Sequence, residues 1–344
     1  MRGNDINVED IPDPVPGRGQ VIIAPHSTGI CGSDLHFRSE MGELAALDPH
    51  SPPPGVVPGH EFAGHVVAIG PDTPTELAEG DLVTAIPFTH GPDGPEIIGL
   101  SPSFGGGLAE LTAVDAERTI KLPQGVGTRL GSLTEPIAVA VHAFARRATS
   151  GPIAIVGSGP IGLGIVAAAV AADCHPIIAI EPSEARRAIA LCLGADAAYA
   201  PGSDLTDMLA EHGFSPGTLS PLLDAEPATP TIFECVGRPE VVQNVIATAP
   251  AHSRVVLAGI CSHAVEVNPL QMIMAGISIE TSFAYRPRDF NTALRHLQEQ
   301  PEYFASLITS ERPLDQTYAA FEDLAGGHPD EIKILITPGH GAMT

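Results

Sequence analysis

The stretch IAIVGSGPIGLGIVAAAVAADCHPIIAIE at residues 153–181 decides the fold. Four apolar residues, 153–156, have the length and composition of a strand buried on both faces. Gly157-Ser158-Gly159-Pro160-Ile161-Gly162 follows and fits G-x-G-x-x-G. An Ala-rich apolar run at 161–172 reads as a helix, and 176–180 as a second strand. The glycine pattern alone is weak, but here it lies between strand and helix, the context that gives it meaning. Gly157 permits the tight turn, Gly159 lets backbone approach a pyrophosphate, and Gly162 lets the helix pack on the strand. Pro160 near the helix start costs no hydrogen bond, and the free N–H groups there face a diphosphate. Glu181 ends the second strand, where a carboxylate would accept from the adenosine ribose hydroxyls and repel a 2′-phosphate. Arg186 and Arg187, farther into the next helix, are the groups that would serve NADP. NAD is therefore favoured over NADP. The plain alternatives are a strand–helix turn of some other α/β protein and, for Glu181, a solvated strand end.

Outward from this segment the alternation continues. Residues 183–193 read as a helix stopped by Gly194. Residues 231–236, 254–258 and 277–281 read as buried strands, with a helix at 239–249. Such βαβα alternation argues for a doubly wound parallel sheet. Residues 201–230 are rich in Pro, Ser and Gly and read as an irregular insertion. Residues 136–148 are helix-compatible. Before about residue 134 the texture differs: short apolar runs at 20–24, 64–69 and 81–85 are punctuated by Pro and Gly, and long helical patterns are absent. After residue 285 come two helices, at 289–298 and 315–325, and a closing strand at 332–336. The expected division is 1–145, 146–284 and 285–344, the last part returning to the first.

The chain has 344 residues, so two domains are expected. Its formal net charge of −24 argues against nucleic-acid binding, which needs clustered cations. Hydrophobic content of 44% is enough for a buried core and excludes global disorder. The N-terminal residues are polar and acidic, and the longest apolar stretch, 161–172, is too short to span a bilayer. The five cysteines, Cys31, Cys174, Cys192, Cys235 and Cys261, are scattered and form no CxxC pair. A disulfide scaffold and a four-cysteine zinc knot are both disfavoured, and a reducing cytoplasmic setting is expected.

Two segments concentrate metal-competent groups: GICGSDLH at 29–36 and PGHEFAG at 58–64. Thr134-Glu135-Pro136 supplies a further carboxylate. Thiolate, imidazole and carboxylate on separate loops suit a catalytic zinc with three protein ligands and an open position. Either segment alone is better read as core packing; their joint occurrence favours a site. His142 and His65 read as packed or hydrogen-bonded histidines.

With GDLV at 80–83, LTEP at 133–136, GSGPIGL at 157–163, TSFAY at 281–285 and IKILITP at 332–338, these motifs make the chain resemble the zinc-dependent medium-chain dehydrogenases. That group includes alcohol, sorbitol, threonine and butanediol dehydrogenases. The resemblance covers nearly the whole chain. It implies a β-rich GroES-like catalytic domain plus a Rossmann domain, a small alcohol or ketone substrate, and a homodimer or homotetramer. It implies Cys31 and His60 as zinc ligands, with Glu61 or Glu135 as the third; sequence does not choose between them. It gives Ser33 and His36 a proton relay to solvent and makes Asp34 the partner that orients His60. Zinc would lower the pKa of the alcohol, and hydride would pass to the nicotinamide in the cleft between the domains.

Three departures stand out. Many relatives hold a second zinc with four close cysteines, whereas residues 87–103 contain none, so one zinc per chain is expected. The N-terminus is short. The proline-rich stretch before residue 58, with His50 and Pro52–Pro54, has no readable shape. Two alternatives remain. A zinc-free enone or quinone reductase of the same superfamily would lack the Cys31/His60 pair. A non-catalytic dinucleotide sensor would have no use for Ser33 and His36.

Overall fold

The computed structural model describes residues 1–47, 54–91, 94–149, 151–202, 205–212, 229–328 and 330–339. His50 and most of the 201–230 stretch lie outside them. The chain divides into two compact units, Met1–Pro136 with Phe290–Thr344, and Ile137–Asp289. These divisions depart from the expected 145 and 284. The helix Thr134–Phe144 buries Ile137, Ala138, Ala140 and Ala143. Near its end, His142 Nδ1 lies 2.7 Å from Asp289 Oδ2, with both side chains buried. That tie keeps the chain on either side of residues 146–284 within the second unit.

The second unit holds one six-stranded sheet, wholly parallel, in the order Ala197–Tyr199, Ile177–Ile180, Ile153–Val156, Thr231–Glu234, Arg254–Leu257, Ser278–Thr281. The order runs outward from Ile153–Val156 in one direction, then restarts beside it in the other. That reversal opens a crevice at the carboxyl ends of the strands, where ligands of such sheets bind. Ile153–Val156 and Ile177–Ile180 are buried at every position, as their unbroken apolar sequences require. Ala154, Ile178, Ile232, Val245 and Val255 form the core beneath them. A helix, Leu205–Ala210, occupies part of the stretch expected to be irregular, and its Leu209 is buried in this core.

The first unit is built on a seven-stranded sheet. Its main path runs Ile308–Pro313, Lys333–Thr337, Gln20–Gly29, Glu61–Ile69, Leu82–Ala85, Thr119–Lys121, and Thr112–Asp115 also pairs with Gln20–Gly29. Val21, Ile23, Phe62, Val66 and Val83 fill its core. Lys333–Thr337 lies antiparallel to Gln20–Gly29 and parallel to Ile308–Pro313, so the chain's tail is stitched next to the strand that leads into Cys31. Residues 87–103, without cysteines, carry a two-stranded hairpin, Phe88–Gly91 with Gly94–Ile97.

One long helix in this unit, Gly32–Leu47, runs against the sequence expectation. Among its described side chains only Asp34 and Met41 are buried, so no apolar stripe announces it. Its start is fixed instead by the Asp34 carboxylate, which accepts from the Cys31 N–H at 2.9 Å and satisfies a donor at the helix entrance.

Ile178 is fully buried in the second core. Ile178→Ala should lower the unfolding free energy by about 2–5 kcal/mol, read as a shifted urea midpoint with unchanged slope.

Candidate metal centre and nucleotide loop

Cys31 immediately precedes the Gly32–Leu47 helix, and His60 immediately precedes the Glu61–Ile69 strand. These two loop ends meet because Gln20–Gly29 and Glu61–Ile69 are antiparallel neighbours in which Gly29 faces Glu61. The ligating atoms of Cys31, His60 and Glu61 lie within 4.8 Å of one another, with His60 and Glu61 buried. Thiol sulfur, imidazole nitrogen and carboxylate oxygen converging out of solvent is a donor set that suits Zn²⁺. Glu135, buried in the first turn of Thr134–Phe144, stands outside this trio.

Asp34 holds the two loops together. One carboxylate oxygen accepts from the Cys31 N–H; the other faces His60 Nδ1 at 3.3 Å, too poorly aligned for a formed hydrogen bond. With Nδ1 turned to a carboxylate, Nε2 is the nitrogen left for a metal. Nε2 also lies 3.1 Å from Ser33 Oγ, so Ser33 adjoins the ligand cluster. Burial disfavours an imidazolium at His60, but Asp34 and Cys31 outweigh burial and raise its pKa well above the ordinary value. His36, on the same helix as Ser33, is half-buried and has Nε2 3.2 Å from Glu40 Oε1.

Glu61 has a partner that sequence reading overlooked. Lys333 is buried and donates to both Glu61 carboxylate oxygens, at 2.8 and 2.6 Å, and to the Ile30 carbonyl at 2.9 Å. Burial alone would push the ammonium toward neutrality; Glu61, with Cys31 and Asp34 behind it, reverses this and raises its pKa. Lys333 was detectable: it is one of two lysines in the chain and interrupts an apolar strand. As placed, Glu61 is engaged on both oxygens, so binding a metal requires it to share or release Lys333.

In the other unit, the glycine loop lies between Ile153–Val156 and the helix Pro160–Ala171. Gly157 has φ +97°, and a Cβ on Gly162 would strike the Gly157 carbonyl, so both positions require glycine. Gly159 is the extended residue at the helix entrance, with Pro160 and Ile161 opening the helix. Glu181 is buried at the end of Ile177–Ile180, and its carboxylate accepts from the Ser158 N–H at 2.7 Å and the Ser183 N–H at 3.0 Å. The loop and Glu181 are thus one hydrogen-bonded assembly. Arg186 lies in the first turn of Glu184–Cys192, where its N–H donates to Ser183 Oγ at 3.3 Å. Arg187 folds back and donates to the Glu181 and Pro182 carbonyls, each at 2.7 Å.

Removing one member of a buried ion pair strands the other. Lys333→Met should therefore destabilise the protein by about 3–5 kcal/mol in urea unfolding, and Glu61→Gln/Lys333→Met should recover part of that loss. Equal stability of Lys333→Met and the parent would show that Glu61 does not depend on this partner.

Known proteins match this arrangement over both units. The zinc-binding dehydrogenase family matches residues 160–299, and the alcohol dehydrogenase GroES-like domain matches residues 17–124. The chain is 29% identical over 351 residues to (R,R)-butanediol dehydrogenase of Bacillus subtilis, covering 97% of each. It is 27% identical over 353 residues to sorbitol dehydrogenase of Gallus gallus, covering 98% of this chain and 95% of the other. The crystal structure of 2R,3R-butanediol dehydrogenase from Bacillus subtilis matches with a TM-score of 0.79 at 27% identity, covering 98% of both chains. The chain belongs to the zinc-dependent medium-chain dehydrogenases and is an oxidoreductase of the alcohol dehydrogenase type.

Proposed function

We propose that this enzyme interconverts a secondary alcohol or polyol and its ketone, using NAD(H) and one zinc per chain. The convergence of half-buried Cys31 with buried His60 and Glu61, in a chain that also carries the glycine loop, is the observation that carries this reading. Cys31 and His60 would hold the metal, with Glu61 or Glu135 as the third protein ligand. When bound, zinc supplies a Lewis acid beside the substrate oxygen and the nicotinamide supplies the hydride acceptor.

The chain's own residues do the rest. Asp34 accepts from the backbone of Cys31 and faces the ring of His60, so one carboxylate would orient both ligands. Ser33, whose hydroxyl adjoins His60, would accept the substrate's hydroxyl proton. His36, partly exposed beside Glu40, would release that proton to solvent. Lys333 would hold Glu61 as a buried reserve carboxylate. The loop at Gly157, Gly159, Pro160, Ile161 and Gly162 would receive the pyrophosphate.

Glu181 supports NAD over NADP. Each oxygen of its buried carboxylate accepts one backbone N–H and keeps acceptor capacity for ribose hydroxyls. Arg187, already engaged by two carbonyls, is drawn away from a 2′-phosphate role. Arg186, in the first turn of the same helix, is the other cation near Glu181.

Assembly into a homodimer, or a homotetramer of such dimers, is supported by the Ser278–Thr281 edge. Among the described residues, its outer backbone ladder has no neighbour in the sheet order. Beside it in sequence, Leu270, Ile273, Met274 and Phe283 are exposed. A second copy presenting the same edge would extend the sheet and cover these side chains on both partners. Five free cysteines suit a reducing cytoplasmic setting.

Purified protein should contain about one zinc per chain and reduce NAD with a short-chain diol, polyol or aminocyclitol. Cys31→Ser should remove both the metal and the activity. Stoichiometric NAD binding without zinc would overturn the reading. In a second test, Glu181→Ser should weaken NAD and relax discrimination against NADP, read as the ratio of the two kcat/KM values; an unmoved ratio refutes the role given to Glu181.

A further inference from the structure

On the outer face of the first sheet, two imidazoles meet with no part in the chemistry above. His26 lies on Gln20–Gly29 and His65 on the neighbouring Glu61–Ile69 strand. His26 Nε2 is 2.8 Å from His65 Nδ1, with ring centroids 4.8 Å apart and planes inclined by 53°. His26 is exposed and His65 half-buried, so both are reachable from solvent.

A backbone irregularity creates the meeting. Ala24 faces His65, Pro25 faces Gly64, and Ser27 faces Ala63, so His26 is an extra residue with no counterpart across the ladder. Such a bulge bends the strand and re-aims the inserted side chain. Here it brings His26 alongside His65. Gly64 permits the crossing, since a Cβ there would strike the Ala24 carbonyl. The two rings are thus gathered by ladder geometry, on two paired strands.

We propose that His26 and His65 form a second metal site, a surface chelate for a borderline divalent transition ion such as Ni²⁺, Cu²⁺ or Zn²⁺. Two imidazoles on one tetrahedral ion, each bonded at about 2.0–2.1 Å, stand about 3.3 Å apart. The observed 2.8 Å separation therefore needs to open by only about half an ångström. The ring that donates within the pair shifts its N–H to its other nitrogen through solvent, so both rings stay neutral while each turns a lone pair to the ion, and water completes the coordination. Neutral imidazole is the ligating form, and burial together with the neighbouring His65 lowers the pKa of His26, favouring that form near neutral pH. Imidazole pairs bind the first-row ions in the order Zn²⁺ and Ni²⁺ below Cu²⁺, so ordinary intracellular zinc would occupy this site more weakly than copper would.

The test is calorimetric titration of the zinc-loaded enzyme with Ni²⁺. The parent should show about one saturable site per chain. His26→Gln and His65→Gln should each weaken it about tenfold or more, and the double variant should be no worse than either single one. His90→Gln, an exposed histidine elsewhere, should leave the isotherm unchanged. Both paired variants should retain the parent's zinc content. Should the substitutions disturb the bulge, the parent itself decides: one equivalent of Ni²⁺ should protect His26 and His65 together from diethyl pyrocarbonate, mapped by mass spectrometry. An isotherm indifferent to both substitutions, or Ni²⁺ that leaves both histidines fully reactive, overturns the proposal.

Discussion

A buried lysine and a buried glutamate from distant parts of the chain meet at the centre of the first unit. Lys333 and Glu61 sit on strands that flank Gln20–Gly29 on its two sides, and their contact passes beside the end of that strand. Neither charge tolerates the interior alone, because desolvation of a lone ion there costs several kcal/mol. Their mutual attraction therefore ties together the two strands that flank Gln20–Gly29, close to Cys31. The Ile30 carbonyl takes a third Lys333 hydrogen bond, which ties the residue next to Cys31 into the same contact. One ion pair thus links the tail strand, the Glu61–Ile69 strand and the residue next to Cys31.

Asp34 is the complementary constraint. It closes the entrance of a helix with one oxygen and faces the ring of His60 with the other. One side chain thus meets both the helix entrance and the imidazole. This explains why a helix without an apolar stripe begins where it does. Its position is dictated by the cluster it serves.

The doubly wound unit was legible because its elements repeat a strong local signal. Unbroken apolar strands at Ile153–Val156 and Ile177–Ile180, an Ala-rich helix and a glycine turn leave little choice of period. Cys31, His60, Glu61 and Glu181 could be picked out by type and spacing, and the structure gathers the first three into one cluster and joins the fourth to the glycine loop. What escaped depends on long-range contacts. Gly32–Leu47 lacks periodicity because tertiary anchoring replaces it. The His142–Asp289 contact joins residues 147 positions apart, which no local pattern shows. Lys333 reads as an oddity in a strand until its partner 272 residues away is known. The pairing of His26 with His65 depends on a bulge, and nothing in the local sequence announces a change of register.

The stitched tail has a bearing on biogenesis. During synthesis the loops bearing Cys31 and His60 leave the ribosome long before Lys333, which follows Ile30 by 303 residues. Until the last strand is released, Glu61 has no buried cation and the Gln20–Gly29 strand keeps an open flank. Loss of the chain from Lys333 onward would thus strand a buried carboxylate at Glu61, though it removes none of the proposed ligands.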